Sequence, residues 1–332
     1  MPQKAAKPSL FNRLVMIGFV SLAVLMIGGF VIAQGWSAAG PSAKPIEVQI
    51  LRGASLSRAA RALQKAGALA SADQFLTLAK VFGSGDAIRA GEYEVPARAS
   101  PSDVLALLQS GKTLQRFVTV PEGTPSIVVH ERLMAEERLS GPVGVPDEGS
   151  VLPDSYSFQR GETRAAVLAR MQHAMRDELS RLWSGRKPGI AVSSPREAVI
   201  LASIVEKETG VPAERRTVAG VYSNRLRQGI PLQADPTVIY PVTRGKPIGR
   251  RILRSELGAN NGYNTYAMAG LPAGPIANPG REALAATLDP APTRALYFVA
   301  KGDGGHVFAE TLAEHNANVQ RWYAIRRQRG EM

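Results

Sequence analysis

The sequence has 332 residues, 45% of them hydrophobic, which is long enough for an anchor and about two domains of roughly 100–200 residues each. A net charge of +12 suits binding to an anionic membrane, an anionic polymer or nucleic acid. Nucleic-acid binding is not expected, because the sequence has no long basic block and no aromatic stacking motif. The absence of cysteine excludes disulfides, thiolate catalysis and cysteine-based metal sites.

The first predicted element is an uncharged apolar run at residues 14–33, preceded by Lys4, Lys7 and Arg13. Twenty helical residues reach about 30 Å, the thickness of a bilayer's hydrocarbon core. The basic residues before the run predict a cytoplasmic N-terminus (residues 1–13) and an exported remainder. A cleaved signal peptide is the alternative, but its apolar region normally has only about 7–15 residues. We therefore predict a single-pass anchor.

Residues 34–46 are rich in small residues, proline and glycine, and are predicted to be a linker, with Trp36 as an interfacial anchor. Residues 47–112 are predicted to form a small α+β module. Its elements are strand 47–51, helix 55–66, helix 71–82, strand 90–95 and a helix between Ser100 and Gly111. An adaptor domain and a polymer-binding module both fit this pattern.

A connecting segment is predicted at 113–192, a second mixed α+β domain at 193–325 and a basic tail at 326–332. The connecting segment carries predicted elements of its own: strand 117–120, a helix from Ser126, the loop 148–156 and a helix at 163–183. The fold class is therefore α+β behind a single transmembrane helix.

Glu208 is the candidate catalytic acid. Ser194 to Glu197 has the pattern of a capping box and starts a helix that Gly210 ends. At about 100° per residue, Glu208 shares the helix face of Leu201, Ile204 and Val205, whereas Glu206 points about 160° away. Burial and the negative end of the helix dipole both raise a carboxyl pKa, which suits a general acid.

A solvated Glu208, paired with Arg215 or Arg216, is the alternative. The segments that follow are polar. Gln233–Thr237 and Tyr263–Tyr266 are predicted loops with many hydrogen-bonding groups, and Asn278 is predicted to cap the helix after it. A β-hairpin is predicted at 296–310, followed by a capping box at Thr311–Glu314.

No cofactor or metal site is expected. The four histidines, His130, His173, His306 and His315, do not have the spacing of metal ligands, and no phosphate loop or serine nucleophile motif is present.

Several motifs together resemble one family, the MltG (YceG-like) endolytic murein transglycosylases. The resemblance covers about residues 45–325 and the anchor. The motifs are Ala202–Thr209 (ASIVEKET), Asn224–Leu226 (NRL), Leu232–Tyr240 (LQADPTVIY), Tyr263–Tyr266 (YNTY), Gly270–Pro272, Gly274–Ile276, Asn278–Gly280 (NPG), Leu296–Val299 (LYFV) and His315-Asn316.

This resemblance implies an inner-membrane protein whose catalytic domain faces the periplasm, with a LysM-like module at 47–112. It also implies that Glu208, the second glutamate of the Glu-Lys-Glu-Thr motif, is catalytic. On that basis the glycan is expected to be held by Gln233, Asp235, Tyr263, Asn264, Thr265 and Tyr266, with Glu206 behind the acid.

The implied activity is cleavage of the bond from N-acetylmuramic acid to N-acetylglucosamine within nascent peptidoglycan strands, leaving 1,6-anhydro ends and limiting strand elongation. The implied partners are the glycan strands, the inner membrane and the peptidoglycan synthases (penicillin-binding proteins). Two alternatives stay open: a hydrolytic muramidase, and a non-catalytic, membrane-anchored glycan-binding scaffold.

Overall fold

The structure is a computed structural model that describes residues 10–331, and this part of the chain divides after Arg116 into two compact units. The first unit contains two strands and four helices: α1 (Leu10–Ser37), β1 (Ile46–Ile50), α2 (Leu56–Ala66), α3 (Ala72–Phe82), β2 (Gly91–Val95) and α4 (Pro101–Ser110). The predicted mixed α+β class is confirmed.

Helix α1 contains the whole of the predicted span at 14–33. Its portion Gly18–Ser37 is long and apolar enough to cross a membrane, by length and composition alone. Large apolar side chains on it, such as Phe19 and Phe30, are exposed. The start of the chain therefore supplies one apolar helix compatible with a single-pass anchor.

The predicted linker at 34–46 is attached to the module rather than extended. Trp36 packs against Phe75 and Phe82, with ring centroids 6.2 and 6.3 Å away, so its ring contacts the module. The segment at Gly40 also pairs with the turn before α4, since its N–H donates to Arg98 O over 3.1 Å.

The module folds around an antiparallel pair, β1 and β2, in which Val48 lies opposite Tyr93. Apolar residues spaced at helical intervals on α2, α3 and α4 cover the pair, and Leu63, Phe75 and Val104 are almost fully buried. Each of its helices begins as the sequence predicts, because serines cap α2, α3 and α4: Ser55, Ser71 and Ser100.

The second unit begins with β3 (Arg116–Thr119) at the boundary between the units. It continues with α5 (Ser126–Ala135), β4 (Ser155–Phe158), α6 (Arg164–Ser184), α7 (Pro195–Glu208), α8 (Arg215–Arg227), α9 (Asp235–Thr243), α10 (Arg254–Leu257), α11 (Arg281–Leu288), β5 (Tyr297–Ala300), β6 (His306–Ala309) and α12 (Leu312–Gln328). Strands β3 and β4 form one two-stranded sheet, and β5 and β6 form an antiparallel hairpin.

Helix α7 lies at the centre of the second unit. All residues from Ala198 to Val205 are buried, and the helix packs against α6, α8, α9 and α11. Val199 and Ala202 on one side contact Met175 of α6 and Leu284 of α11. Residues 117–192 of the predicted connecting segment 113–192 thus lie in the same compact unit as residues 193–325.

Two local predictions are wrong. The polar segment Gln233–Thr237 is not entirely a loop, because α9 begins at Asp235 with a proline in its first turn. Asn278 does not cap α11, whose N-cap is Gly280 without a side-chain bond. The Asn278 side chain instead joins two other segments: its oxygen accepts from Val151 N and its nitrogen donates to Thr124 O, each over 2.9 Å.

Candidate active site

Glu208 is the last residue of α7, and the helix places it at the end of a buried face. Leu201, Ile204 and Val205 on that face are fully buried, as the periodicity predicts. The capping box is only half formed, because the Ser194 hydroxyl accepts from Glu197 N while the Glu197 carboxylate turns to Ser193 N, 2.7 Å away. This single cap suffices to begin the helix that carries Glu208.

Glu208 is partly exposed to a cavity of ≈ 560 Å³, a volume within the range of roughly 300–1,000 Å³ usual for ligand sites. The lining residues come from α7, α8, the segment between α8 and α9, the start of α9, the loop after α10, β5 and α12. They are Glu208, Tyr222, Arg225, Leu232, Gln233, Asp235, Tyr266, Phe298, Val299, His315 and Tyr323. Nowhere in residues 10–331 do three or more His, Asp or Glu side chains come together as metal ligands would.

The Glu208 carboxyl has a strongly raised pKa. Burial is the main cause, the negative charge of Asp235 adds to it, and together they raise the pKa of Glu208 from 4.5 to about 7. A hydrogen bond from the Tyr222 hydroxyl and the positive charge of Arg225 act in the opposite direction. A carboxyl in this balance can both hold a proton and release it near neutral pH.

Tyr222 is the direct neighbour of Glu208. Its ring is buried, and Phe298 of the hairpin meets it edge to face at 5.8 Å. Burial and then the negative charge of Glu208 raise the Tyr222 pKa well above its ordinary value. Tyr222 therefore stays protonated and donates its hydrogen bond to the Glu208 carboxylate.

Arg225 lines the cavity and is held by four hydrogen bonds from its guanidinium. Its guanidinium donates to three backbone carbonyls, Leu296 O at 2.6 Å, Leu232 O at 2.9 Å and Pro231 O at 3.0 Å, and to Gln233 Oε1 at 3.2 Å. The residue is only 7% exposed. Arg225 therefore brings a positive charge near Glu208 and fixes the segment that leads to Gln233.

Three of the residues predicted to hold glycan line the same cavity as Glu208: Gln233, Asp235 and Tyr266. Gln233 and Asp235 are exposed, and Tyr266 donates from its hydroxyl to Asp235 Oδ1 over 2.6 Å. Gln233 has a φ of 54°, a left-handed conformation that non-glycine residues rarely adopt. Its main chain is held there by a bond from Gln233 N to Thr265 O, 3.0 Å long.

The other three predicted glycan contacts, Tyr263, Asn264 and Thr265, lie outside the lining of this cavity. Asn264 and Thr265 are buried. The Asn264 amide nitrogen donates to three carbonyls around the end of α10, and the Thr265 hydroxyl bonds Thr237 and accepts from Ala234 N. Thr265 thus holds the Gln233–Asp235 segment in place, and Asn264 holds the end of α10.

Tyr263 packs against another tyrosine. Its ring centroid lies 5.0 Å from that of Tyr240, and its hydroxyl lies close to Gly274. The Tyr240 hydroxyl is bonded in turn to the Glu148 carboxylate, and burial is the main reason that the pKa of Glu148 is raised. These residues connect the loop before α11 to the rest of the second unit.

Glu206 faces away from the cavity, as its position on the helix predicts. Its Oε2 accepts from Gly280 N at 2.8 Å, and its Oε1 lies 3.7 Å from the Arg215 guanidinium. Burial is the main cause of its raised pKa. The two arginines considered as partners of Glu208 are engaged elsewhere, since Arg215 pairs with Glu206 and Glu122 and Arg216 pairs with Asp289.

Sequence reasoning assigned no site role to the remaining lining residues. For Tyr222 and Arg225 a signal existed, because they lie four and seven positions after Val218 on the buried face of α8. A tyrosine and an arginine on such a face require buried partners. Phe298, Val299 and His315 lie in motifs that resemble the family, but nothing in those motifs predicted that they line the cavity. Tyr323 gave no signal at all, because β5 and α12 reach the cavity only through tertiary packing.

Residues 48–321 match the YceG-like family. The endolytic murein transglycosylase of Bacillus subtilis is 27% identical over 316 residues, which cover 86% of this chain and 86% of that protein. The endolytic murein transglycosylase of Streptococcus pneumoniae serotype 2 is 28% identical over 328 residues, covering 84% of this chain and 58% of that longer protein.

A crystal structure of a YceG-like protein from Listeria monocytogenes is 26% identical and covers 83% of this chain and 99% of that chain, with a TM-score of 0.49. The family match extends over most of the sequence and includes α7, every lining residue of the cavity except Tyr323, and nearly all of the module before them. This chain belongs to the YceG-like family.

Proposed function

We propose that this protein is an endolytic lytic transglycosylase of peptidoglycan. It cleaves the bond from N-acetylmuramic acid to N-acetylglucosamine within nascent glycan strands, leaves 1,6-anhydro-muramyl ends and so limits strand elongation. The observation that carries the proposal is the position of Glu208, a carboxyl with a pKa of about 7 in a cavity large enough for sugar. The names of the Bacillus and Streptococcus relatives support the same activity.

In the first step the protonated Glu208 carboxyl donates its proton to the bridging oxygen. The bond from C1 of the muramyl residue to that oxygen breaks, the electron pair stays on the oxygen, and the N-acetylglucosamine portion leaves with a hydroxyl group. Positive charge develops at C1, as in other glycosidic cleavages. The negative charge left on Glu208 is stabilised by the Tyr222 hydroxyl and by Arg225.

In the second step the Glu208 carboxylate takes the proton from the C6 hydroxyl of the same muramyl residue. The C6 oxygen bonds to C1, which closes the anhydro ring without consuming water. Glu208 is then protonated again and ready for the next cut. One carboxyl serves as acid and then as base, and a pKa of about 7 suits both roles near neutral pH.

Asp235 and Gln233 are placed to bind the substrate, because both are exposed at the cavity and their main chain is fixed from behind. Asp235 has a second effect, since its charge helps to keep Glu208 protonated before the first step. Thr265 acts by holding this segment, Asn264 by holding the end of α10, and Glu206 by fixing the start of α11.

The remaining parts of the proposal concern where the enzyme works. Helix α1 would anchor it in the inner membrane with the N-terminus in the cytoplasm, and the basic residues before the apolar run support that orientation. The second unit would then act in the periplasm on strands leaving the peptidoglycan synthases. The strand–helix–helix–strand order of the module supports a LysM-like role in glycan binding.

The test is mass spectrometry of the products formed from nascent, uncross-linked glycan by the wild type and by Glu208→Gln. We expect the wild type to release strands with 1,6-anhydro ends and Glu208→Gln to be at least about 1,000-fold slower, because the amide cannot supply the proton. Glu282→Gln, which changes an exposed carboxyl on α11 in the same way, should cleave like the wild type.

Two outcomes would contradict the proposal. Products one water heavier than the anhydro form would identify a hydrolytic muramidase. An absence of products from the wild type as well as from Glu208→Gln would point to a non-catalytic glycan-binding scaffold.

A further inference from the structure

One wall of the cavity is formed by residues that follow the predicted site in the chain. We call it the hairpin–helix wall; it consists of Phe298 and Val299 of β5 and His315 and Tyr323 of α12. Tyr323 is 37% exposed, and Phe298 and Val299 are partly exposed. The wall therefore presents apolar ring and side-chain surface together with one imidazole.

His315 is held by stacking and not by hydrogen bonds. Its ring lies 5.2 Å from that of Tyr297 at an interplanar angle of 24°, and the guanidinium carbon of Arg225 lies 5.1 Å from the same tyrosine ring. Nδ1 of His315 is buried and has no hydrogen-bond partner in the part of the chain that the structure describes, whereas Nε2 is not among the buried unpaired atoms.

This arrangement decides which nitrogen carries the proton. A buried N–H without an acceptor costs about 1–3 kcal/mol, so the proton belongs on Nε2, which is not buried without a partner as Nδ1 is. Burial and then the positive charge of Arg225 lower the pKa of His315, which keeps the ring neutral. His315 is thus a neutral donor whose N–H has no acceptor within the described residues.

We propose that the hairpin–helix wall is a sugar-binding subsite in which His315 Nε2–H donates to an acceptor oxygen of an N-acetylhexosamine residue, while Phe298 and Tyr323 pack against the sugar ring. The inference rests on the proposed function, because it assigns this wall to one of the sugars that flank the cut. Mostly apolar surface with a few placed polar groups is the usual composition of such sites.

Two substitutions of His315 separate hydrogen bonding from stacking. His315→Phe keeps a ring against Tyr297 and loses the donor, whereas His315→Gln loses the ring and keeps an amide N–H near the position of Nε2. Both are made in the full-length Glu208→Gln chain. Binding of uncross-linked peptidoglycan strands of defined length is measured by calorimetry, so that the result does not depend on cleavage.

We expect His315→Phe to weaken binding about 5- to 10-fold, the loss of one hydrogen bond, and His315→Gln to stay within about threefold of its parent. His130→Phe is the matched control and should bind like the parent, since His130 also has a buried, unpaired Nδ1 but lies outside the cavity lining. Thermal unfolding of each variant checks that the fold is retained.

Unchanged affinity in His315→Phe would overturn the donor role. Equal losses in His315→Phe and His315→Gln would also overturn it, because His315 would then only shape the wall. In either case a wild type that still releases anhydro ends would leave the proposed function standing. A wild type that releases none would reject the function by itself, whatever the binding data show.

Discussion

The two units differ in what they bury. Among the described residues of the first unit, the buried polar side chains are Glu92 and Ser100. In the second unit buried polar side chains occur throughout the core, including Ser126, Ser203, Arg225, Thr237, Asn264, Thr265 and Asn278. The first unit is thus held mainly by apolar packing, and the second also by specific hydrogen bonds.

This difference shows how each unit is specified. Apolar packing tolerates small shifts, whereas a buried hydrogen-bonding group is costly unless its partner is in place. In the second unit the buried polar groups hold loops. Asn264 holds the end of α10, Thr265 holds the segment of Gln233, and Arg225 holds the carbonyls of residues 231, 232 and 296. The cavity is made of these loops, so the bonds that fix them also fix the site.

The strongest test of this comparison is Arg225→Met. Removing the guanidinium leaves three backbone carbonyls without their donor, at about 1–3 kcal/mol each where they stay buried, so we expect a loss of about 3–5 kcal/mol in unfolding free energy. Glycan cleavage should fall with it, because Gln233 is no longer held. Native-state hydrogen exchange in α7 and α8 measures the loss.

Arg186→Met is the control for this substitution. Arg186 is exposed and its guanidinium lies 4.3 Å from the Trp183 ring centroid, so its loss should cost at most about 1 kcal/mol. Equal effects of the two substitutions would break the comparison, since buried polar contacts would then hold the second unit no more strongly than surface contacts do.

A second test uses the pH dependence of stability. The pKa of Glu208 is about 7 in the folded protein and near 4.5 when unfolded, so between these values the folded state binds more protons. The stability linked to this proton is fully present below about pH 4.5 and is lost as the pH rises through 7. The unfolding free energy should fall by up to about 3 kcal/mol in all.

The glutamine in Glu208→Gln does not titrate. The unfolding free energy of this variant should therefore exceed that of the wild type by an amount that grows between pH 4.5 and 7 and levels off above about pH 8. Denaturant unfolding at a series of pH values, followed by hydrogen exchange in α7, provides the measurement. An advantage that stays constant with pH would show that Glu208 is solvated, as in the alternative interpretation of the sequence.

The sequence predicted the elements of the first unit well, because periodic apolar residues and serine caps act locally. It also placed Glu208 on a buried helix face, since helical geometry alone determines that direction. It misjudged Asn278, an apparent cap, because the partners of that side chain lie at Thr124 and Val151, far away in the chain. No local pattern can reveal such contacts.

The same limit explains why only some of the predicted glycan-binding residues line the cavity. Gln233, Asp235 and Tyr266 reach the cavity, whereas Asn264 and Thr265, from the same polar motifs, turn inward. Composition marks both groups as polar, and only the tertiary fold decides which of them is exposed. The position of the hairpin–helix wall at the cavity could not be predicted for a related reason. Three of its residues lie in motifs that resemble the family, but α12 meets the cavity about 100 residues after Glu208 in the chain.

The smallest test concerns the first unit, through Ser100→Ala. The Ser100 hydroxyl accepts from Asp103 N at 3.2 Å, and the Asp103 carboxylate accepts from Ser100 N at 3.0 Å, which completes a capping box at α4. Loss of the hydroxyl should cost about 1 kcal/mol, seen as faster hydrogen exchange in α4. Ser110→Ala, at the exposed end of α4, should change stability by less than about 0.5 kcal/mol.

The informative measurement on Ser100→Ala is its effect on the second unit. Because Ser100 acts on a local cap inside an apolar module, exchange in α7 and the turnover number for glycan cleavage should stay at wild-type values. A fall in turnover with α4 still folded would mean that the first unit takes part in the chemistry. The division of labour between an apolar module and a polar catalytic unit would then have to be abandoned, even if Arg225→Met behaves as expected.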